Sequence, residues 1–156
     1  MHKLSKKYLI VIAVFAVLGM LDSAYLTLKH YKPTTGTFCN LNDYINCDIV
    51  NQSTYAELFG IPIAILGFLT YLAIFVITTG LAYEKLPRPR ENLIFATLIS
   101  FFGLFFSLYL TYVELFILYA VCLLCVISQL ILIFISIFII MLWIKKEHAP
   151  LPPLPL

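Results

Sequence analysis

The stretch LIFATLISFFGLFFSLYLTYVELFILYAVCLLCVISQLILIFISIFIIMLW, residues 93–143, decides the fold. As one α-helix it would be about 75 Å long, against a bilayer hydrocarbon core of about 30 Å. The run therefore has to fold back and cross a membrane twice. Glu114 is its one acidic residue, and a carboxylate is among the most costly residues at the centre of a membrane helix, so we expect the turn near Glu114.

The composition of the whole chain is that of an integral membrane protein. Of 156 residues, 62% are hydrophobic and 12% are charged, and the mean hydropathy is +1.00. Soluble domains carry about 25% charged residues. Two further apolar runs precede the long one, and each reaches the roughly 20 residues that span a bilayer. We predict an all-α bundle of four transmembrane helices, at about residues 8–28, 61–82, 93–113 and 120–143.

These spans form one predicted domain, residues 1–149, followed by an extended, disordered Pro-rich tail, residues 150–156. The first apolar run has a signal peptide as its alternative interpretation, because lysines precede it. The run is longer than the roughly 7 to 15 residues of a signal-peptide core, and LKHYK, residues 28–32, follows where small residues would be cleaved. We therefore expect the first helix to be retained.

Basic residues predict the orientation in the membrane, since cytoplasmic segments carry an excess of Lys and Arg. Eight of them lie before the first span, between the second and third, or after the fourth: Lys3, Lys6, Lys7, Lys85, Arg88, Arg90, Lys145 and Lys146. Only Lys29 and Lys32 lie in the loop after the first span. Both termini are therefore predicted to be cytoplasmic, and residues 29–60 and 114–119 to lie on the outer face.

The four cysteines form two pairs that this topology brings to the outer side. Cys39 and Cys47 flank the polar segment NLNDYIN, while Cys122 and Cys125 lie at the start of the fourth helix. Residues at i and i+3 share a helix face, so the second pair can close a short disulfide, and the helix N-terminus favours a reactive thiolate at Cys122. Disulfides persist outside the cytoplasm. We expect a loop disulfide that a soluble partner reaches easily and that relays electrons to the inner pair.

Other roles remain open for the cysteines. Buried cysteines are common packing residues, and a loop disulfide can be purely structural. A four-sulfur zinc site usually has two to four residues between paired ligands, and the spacing from Cys39 to Cys47 is longer than that. Half of the ligands of such a site would also lie in lipid. Haem attachment would need His after the second cysteine, where Val126 stands.

Two polar residues within the spans are further candidates. Asp22 lies on the outer side of the first helix and is expected to face the bundle interior, either as a functional group or as a hydrogen-bond partner of another helix. Gln129 follows Cys125 by one helical turn and can contact a ligand or a neighbouring helix.

Together these features resemble the vitamin K epoxide reductase family, in its prokaryotic branch. The resemblance rests on four spans, the Cys-x7-Cys loop, the segment CDIVNQSTYAELFGIPIAILG at residues 47–67, and the Cys-x-x-Cys opening the last helix; it covers nearly the whole chain. It implies a four-helix bundle around a quinone of menaquinone, ubiquinone or vitamin K type. The outer loop and a short half-helix would cap the quinone pocket.

The resemblance also implies a role for each cysteine. Cys122 and Cys125 match the active-site pair beside the quinone ring, with Cys125 closest to the ring and forming the adduct with it. Cys39 and Cys47 match a shuttle pair, in which Cys47 passes electrons to Cys122 through a transient mixed disulfide.

Four more residues match positions near the quinone. Ser53 matches a serine or threonine close to the cap, and Phe59 opens the segment FGIPIA at the entry to the second helix. Ala56 and Gln129 stand where vertebrate epoxide reductases have an asparagine and a tyrosine that hydrogen-bond the vitamin K ring. These two departures argue against epoxide reduction.

We therefore predict a thiol:quinone oxidoreductase of a prokaryotic cell membrane that oxidises an exported thioredoxin-like protein and supports disulfide formation. Its expected partners are that protein, a quinone and membrane lipid, without nucleic acid or metal. Two alternatives are a vitamin K epoxide or quinone reductase, and a non-enzymatic membrane protein with a structural disulfide.

Overall fold

The computed structural model describes residues 6–32 and 38–147, with the side chains of the last two left out. Its elements, in chain order, are α1 (Lys6–Tyr31), α2 (Cys47–Asn51), a 3₁₀ turn (Thr54–Ala56), β1 (Glu57–Leu58), β2 (Ile61–Pro62), α3 (Ile63–Ala82), α4 (Pro89–Val113), a π-helical turn (Glu114–Leu118) and α5 (Leu123–Glu147). Within the described part, four helical segments are long and apolar enough to cross a membrane. The predicted four-helix membrane bundle is thereby confirmed. The predicted tail and Lys3 lie outside the described residues.

The bundle has two buried clusters at opposite ends. α1 packs along α3 and against α5, and α4 packs against α3 and α5. The larger cluster contains Leu9, Ile74, Leu93 and Ile139, from the beginnings of α1 and α4 and the second halves of α3 and α5. The smaller cluster lies at the other end and contains three of the four cysteines; we call this the cysteine end. Continuous apolar packing therefore holds one end, and the other is open to a cavity.

Tyr71 of α3 joins three of the four helices. Its ring is buried, and its hydroxyl donates to the Ser128 carbonyl of α5 at 2.8 Å and lies 2.8 Å from the Ser128 hydroxyl. On the α1 side the ring occupies the space where any side chain larger than hydrogen at Gly19 would stand. A close approach of this kind is why glycine suits a membrane helix interface.

We predict that Gly19→Ala lowers the free energy of unfolding by about 1–3 kcal/mol, because the added methyl group overlaps a ring that its hydrogen bond holds in place. Titration with SDS in mixed micelles measures this quantity. Gly103→Ala in α4 is the matched control: its methyl would meet Thr70 at an ordinary 3.5 Å, so we expect a change between zero and a gain of about 1 kcal/mol. Equal effects of the two changes would contradict the prediction.

A short segment at residues 47–62, the cap segment, connects the outer loop to α3. The Asn46 side chain caps α2 by accepting from the backbone N–H groups of Asp48 and Ile49, each at 3.1 Å. β1 and β2 pair as a hairpin whose turn residues Phe59 and Gly60 have φ of 53° and 78°. Because β2 occupies Ile61–Pro62, α3 starts two residues later than the predicted span.

The turn between the last two membrane helices lies further along than expected. Helical structure continues past Glu114 to Leu118, and the chain reverses over residues 119–122, where Tyr119 has φ of 50°. The expectation that Glu114 marks the turn is therefore wrong. The expectation assumed a carboxylate without a partner, which is costly to bury. In the structure the buried Glu114 carboxylate accepts a hydrogen bond from the Cys122 backbone N–H at 3.0 Å, which offsets that cost.

Candidate functional site

The four cysteines meet at one end of the bundle. Cys39 and Cys47 form a disulfide with their Cα atoms 5.9 Å apart, while Cys122 and Cys125 are free thiols. Cys39, Cys47 and Cys122 belong to one buried cluster, and Cys125 packs against it.

Backbone hydrogen bonds set Cys47 beside Cys122. Ile45 and Val121 form a parallel β-bridge, in which the Val121 N–H donates to the Tyr44 carbonyl at 2.7 Å and the Asn46 N–H to the Val121 carbonyl at 3.1 Å. Cys47 directly follows Asn46, and Cys122 directly follows Val121. Two segments 75 positions apart in the chain, from residue 46 to residue 121, are thus held in a fixed register.

The outer disulfide is more deeply placed than the polar sequence around it indicated. The exposed fractions of Cys39 and Cys47 are 1% and 0%. Asn40 and Asp48, which directly follow the two cysteines, hydrogen-bond to each other through their side chains at 2.5 Å. The expectation of easy access from solution is wrong for this state, because the disulfide packs into the apolar cluster instead of lying on the loop surface.

The inner pair is organised by the start of α5 and by Glu114. Cys122 precedes the helix, and its sulfur accepts the Cys125 backbone N–H at 3.3 Å, in the manner of a capping residue. Glu114 Oε2 accepts the Cys122 N–H at 3.0 Å, and the Glu114 and Cys125 side chains border the same cavity. Glu114 is therefore bonded to the first inner cysteine and lies beside the second.

A cavity of about 230 Å³ lies between the four membrane helices, directly below the cap segment. Every long helix contributes to its wall, which is mainly apolar; Phe106 and Leu110 of α4 are examples. Cys125 and Glu114 are part of this wall, whereas Cys122 is fully buried on the side of the outer disulfide. A mostly apolar cavity with a few polar groups is the usual form of a site for a small organic ligand.

The other predicted site residues divide into two groups. Ser53 and Ala56 contribute to the cavity wall, and the Ser53 hydroxyl donates to the Val50 carbonyl at 2.7 Å. Phe59 lies at the tip of the hairpin, 97% exposed, and is not among the wall residues of the described chain. Gln129 also lies outside the wall, where its Oε1 accepts from the Thr111 hydroxyl at 2.7 Å. Because Thr111 itself lines the cavity, Gln129 can orient a wall hydroxyl without contacting a ligand.

Sequence reasoning missed the residue that fastens the cap segment to α1. The Asn51 side chain is buried and donates to the Leu26 carbonyl at 3.0 Å. The backbone carbonyl of Asn51 accepts from His30 Nδ1 at 2.7 Å. The available signal was its spacing of four residues from Cys47, which puts both on one face of α2. This attachment fixes the cap segment over the cavity.

We expect Asn51→Ala to lower the free energy of unfolding by about 1 kcal/mol, since it removes a buried hydrogen bond that joins α2 to α1. SDS titration of the purified chain measures the loss. Gln52→Ala serves as control, because Gln52 donates to the Lys29 and His30 carbonyls from an exposed position and is expected to contribute within about 0.5 kcal/mol. A loss of equal size in the control would refute the anchoring role of Asn51.

Comparison with known proteins identifies relatives of this arrangement. A family model described as the vitamin K epoxide reductase family matches residues 10–140. Among curated proteins, the chain is similar to "Thiol-disulfide oxidoreductase LTO1" of Arabidopsis thaliana, with 37% identity over 70 residues. The matched part is 44% of this chain and 18% of the Arabidopsis protein, so the chain spans less than a fifth of that relative's length.

Proposed function

The chain belongs to the vitamin K epoxide reductase family, and on that premise we propose that it oxidises the thiols of an exported thioredoxin-like protein and delivers the electrons to a membrane quinone. The observation that carries this proposal is the convergence of the two cysteine pairs, with one sulfur of the inner pair on the wall of an intramembrane cavity. The name of the Arabidopsis relative is in accord with thiol chemistry.

Two exchange steps would carry electrons through the protein. The partner's dithiol reduces the Cys39–Cys47 disulfide and is itself oxidised to a disulfide. Cys47 then attacks Cys122 in the oxidised inner pair as a thiolate; the inner S–S bond breaks, and Cys125 leaves and takes up a proton. Cys39 next attacks Cys47 and releases Cys122, so that the outer pair loses two electrons and the inner pair gains them. The register that holds Cys47 next to Cys122 supports this order.

The cavity residues fit a quinone head group. The volume of about 230 Å³ exceeds the roughly 150 Å³ that accommodates a benzene ring in an engineered protein cavity. Phe106 and Leu110 would cover the ring, and the hydroxyls of Ser107 and Ser128 are polar groups of the wall suited to its oxygens. When bound, a quinone supplies the capacity to accept two electrons and two protons from the inner pair.

Charge and position support an orientation with the cysteine end facing outwards. Lys6 lies over the Tyr83 ring and Lys145 over the Tyr8 ring, both at the end remote from the cysteines. Since positive charge favours the cytoplasmic side, the cysteine end would meet exported proteins, in a prokaryotic cell membrane.

A trapping experiment tests the relay. In the double variant Cys39→Ser with Cys125→Ser, both resolving sulfurs are removed, and we expect treatment with the two-electron thiol oxidant diamide to give a stable Cys47–Cys122 disulfide in non-reduced peptides analysed by mass spectrometry. The complementary double variant, Cys47→Ser with Cys122→Ser, leaves Cys39 and Cys125, which we expect to remain free. The reverse result would contradict the proposed order.

The overall reaction is tested with the purified chain, a reduced thioredoxin-like protein and a naphthoquinone. We expect quinone absorbance to fall with the intact chain and to stay constant with Cys125→Ser, whose outer disulfide remains. If the intact chain reduces neither this quinone nor a ubiquinone, while alkylation shows all four cysteines to be accessible after reduction, the disulfide is structural and the proposal fails.

A further inference from the structure

Glu114 is a buried carboxylate that its structural contacts do not account for. Its exposed fraction is 3%, and it lies in a segment that is apolar enough to cross a membrane. Its bond to the Cys122 N–H needs only an acceptor oxygen, which a neutral glutamine amide would supply at a lower cost of burial. The ionisable group therefore calls for a second role, and ionisable residues inside membranes commonly move protons.

The geometry offers that role, because the carboxyl group lies beside the inner cysteine pair. Glu114 accepts the Cys122 N–H at 3.0 Å, the Cys125 N–H donates to the Cys122 sulfur at 3.3 Å, and the Glu114 and Cys125 side chains interact. Both Cys125 and Glu114 line the cavity, whereas Cys122 has no exposed surface. A chain of contacts thus leads from Cys122 through Cys125 to Glu114 and into the cavity.

We propose that the Glu114 carboxylate is the proton acceptor of the inner cysteine pair. This inference rests on the proposed function. Closing two thiols to a disulfide breaks two S–H bonds, forms one S–S bond and releases two electrons and two protons. The electrons leave to the quinone; Glu114 takes the Cys125 proton and gives it up on the cavity side, where quinol formation consumes two protons. The Cys122 proton follows by the same path through Cys125.

The other ionisable groups facing Cys125 are Cys122 from the start of α5 and Asp22 from α1. The Asp22 carboxyl group interacts with Cys125 electrostatically, and its Oδ2 is buried without a hydrogen-bond partner among the described residues. From α3, Tyr71 uses its hydroxyl on Ser128. Of these two carboxyl groups, Glu114 is the one hydrogen-bonded to the inner pair, through the Cys122 N–H, which makes Asp22 a matched comparison.

A labelling experiment without quinone or partner tests the proposal. Cys122→Ser in the otherwise intact chain leaves Cys125 as the single free thiol, since Cys39 and Cys47 remain bonded, and the serine hydroxyl can replace the sulfur as the capping acceptor. The probe is N-ethylmaleimide, a small neutral reagent that reacts with thiolates, and the measured quantity is the rate of Cys125 labelling. Adding Glu114→Gln is expected to slow labelling roughly tenfold or more, because the thiol loses its base in an apolar cavity.

Three comparisons make the result decisive. Glu114→Asp retains a carboxylate and is expected to restore part of the rate, while Asp22→Asn is expected to stay close to the parent. An unchanged or faster rate in Glu114→Gln would overturn the proposal, since a faster rate means that the carboxylate only repels a thiolate. Equal slowing by Asp22→Asn would overturn it as well.

Two checks keep folding and function separate from this outcome. Each variant must retain the Cys39–Cys47 disulfide. If Glu114→Gln does not retain it, the Cys122→Ser parent is labelled in ordinary and in deuterated buffer. Proton acceptance by Glu114 predicts that deuterated buffer slows the labelling of Cys125 more than it slows the labelling of free N-acetylcysteine. An equal solvent effect on the two thiols overturns the proposal. The labelling experiment contains no quinone. If the intact chain fails to reduce quinone in the separate assay, the proposed function is disproved, but the labelling result still decides whether Glu114 accepts the proton.

Discussion

A lipid bilayer offers no hydrogen-bond partner to a polypeptide, so any non-helical backbone at membrane depth has to be satisfied by the protein itself. The reversal at residues 119–122 meets this constraint. Its amide and carbonyl groups are bonded to the outer loop through Tyr44 and Asn46 and to the carbonyl of Glu114, while the Glu114 side chain accepts from Cys122. The contacts that make the turn possible are those that bring the outer loop to the inner cysteines. Stability of the fold and proximity of the sulfurs therefore have a common origin.

The division of the bundle into two clusters follows from the distribution of small and aromatic residues. At the end remote from the cysteines, apolar side chains fill the space between the helices. Tyr71 marks the boundary, where Gly19 lets its ring reach between α1 and α5. Beyond it, the wall includes small residues such as Gly67 and Gly103, and a cavity remains. A well-packed half supports a half that keeps room for a ligand.

The sequence was sufficient for the fold class and for bringing the two cysteine pairs to one end of the bundle, because hydrophobic run lengths are a property of composition. It was insufficient at positions where a contact between residues distant in the chain overrides what the local sequence indicates. Glu114 was assigned to the membrane surface on the cost of a lone carboxylate, and the donor that lowers this cost comes from a residue eight positions away across a reversal. The burial of Cys39 and Cys47 depends on packing against Leu26 and Leu124, which no pattern within NLNDYIN indicates. Phe59 was placed near the ligand by its segment, whereas a hairpin turn with positive φ directs it outwards.

The separation of the two inner sulfurs has a consequence for energy conservation in the cell. Cys122 is enclosed with the outer disulfide, and Cys125 borders the cavity. Under the proposed function, electrons from the aqueous side have to pass the buried sulfurs in series before they reach the lipid-soluble acceptor. Small reductants such as glutathione would be insulated from that acceptor. The bundle would thus prevent small free thiols from reducing the quinone directly, so that the quinone accepts electrons from folding proteins instead.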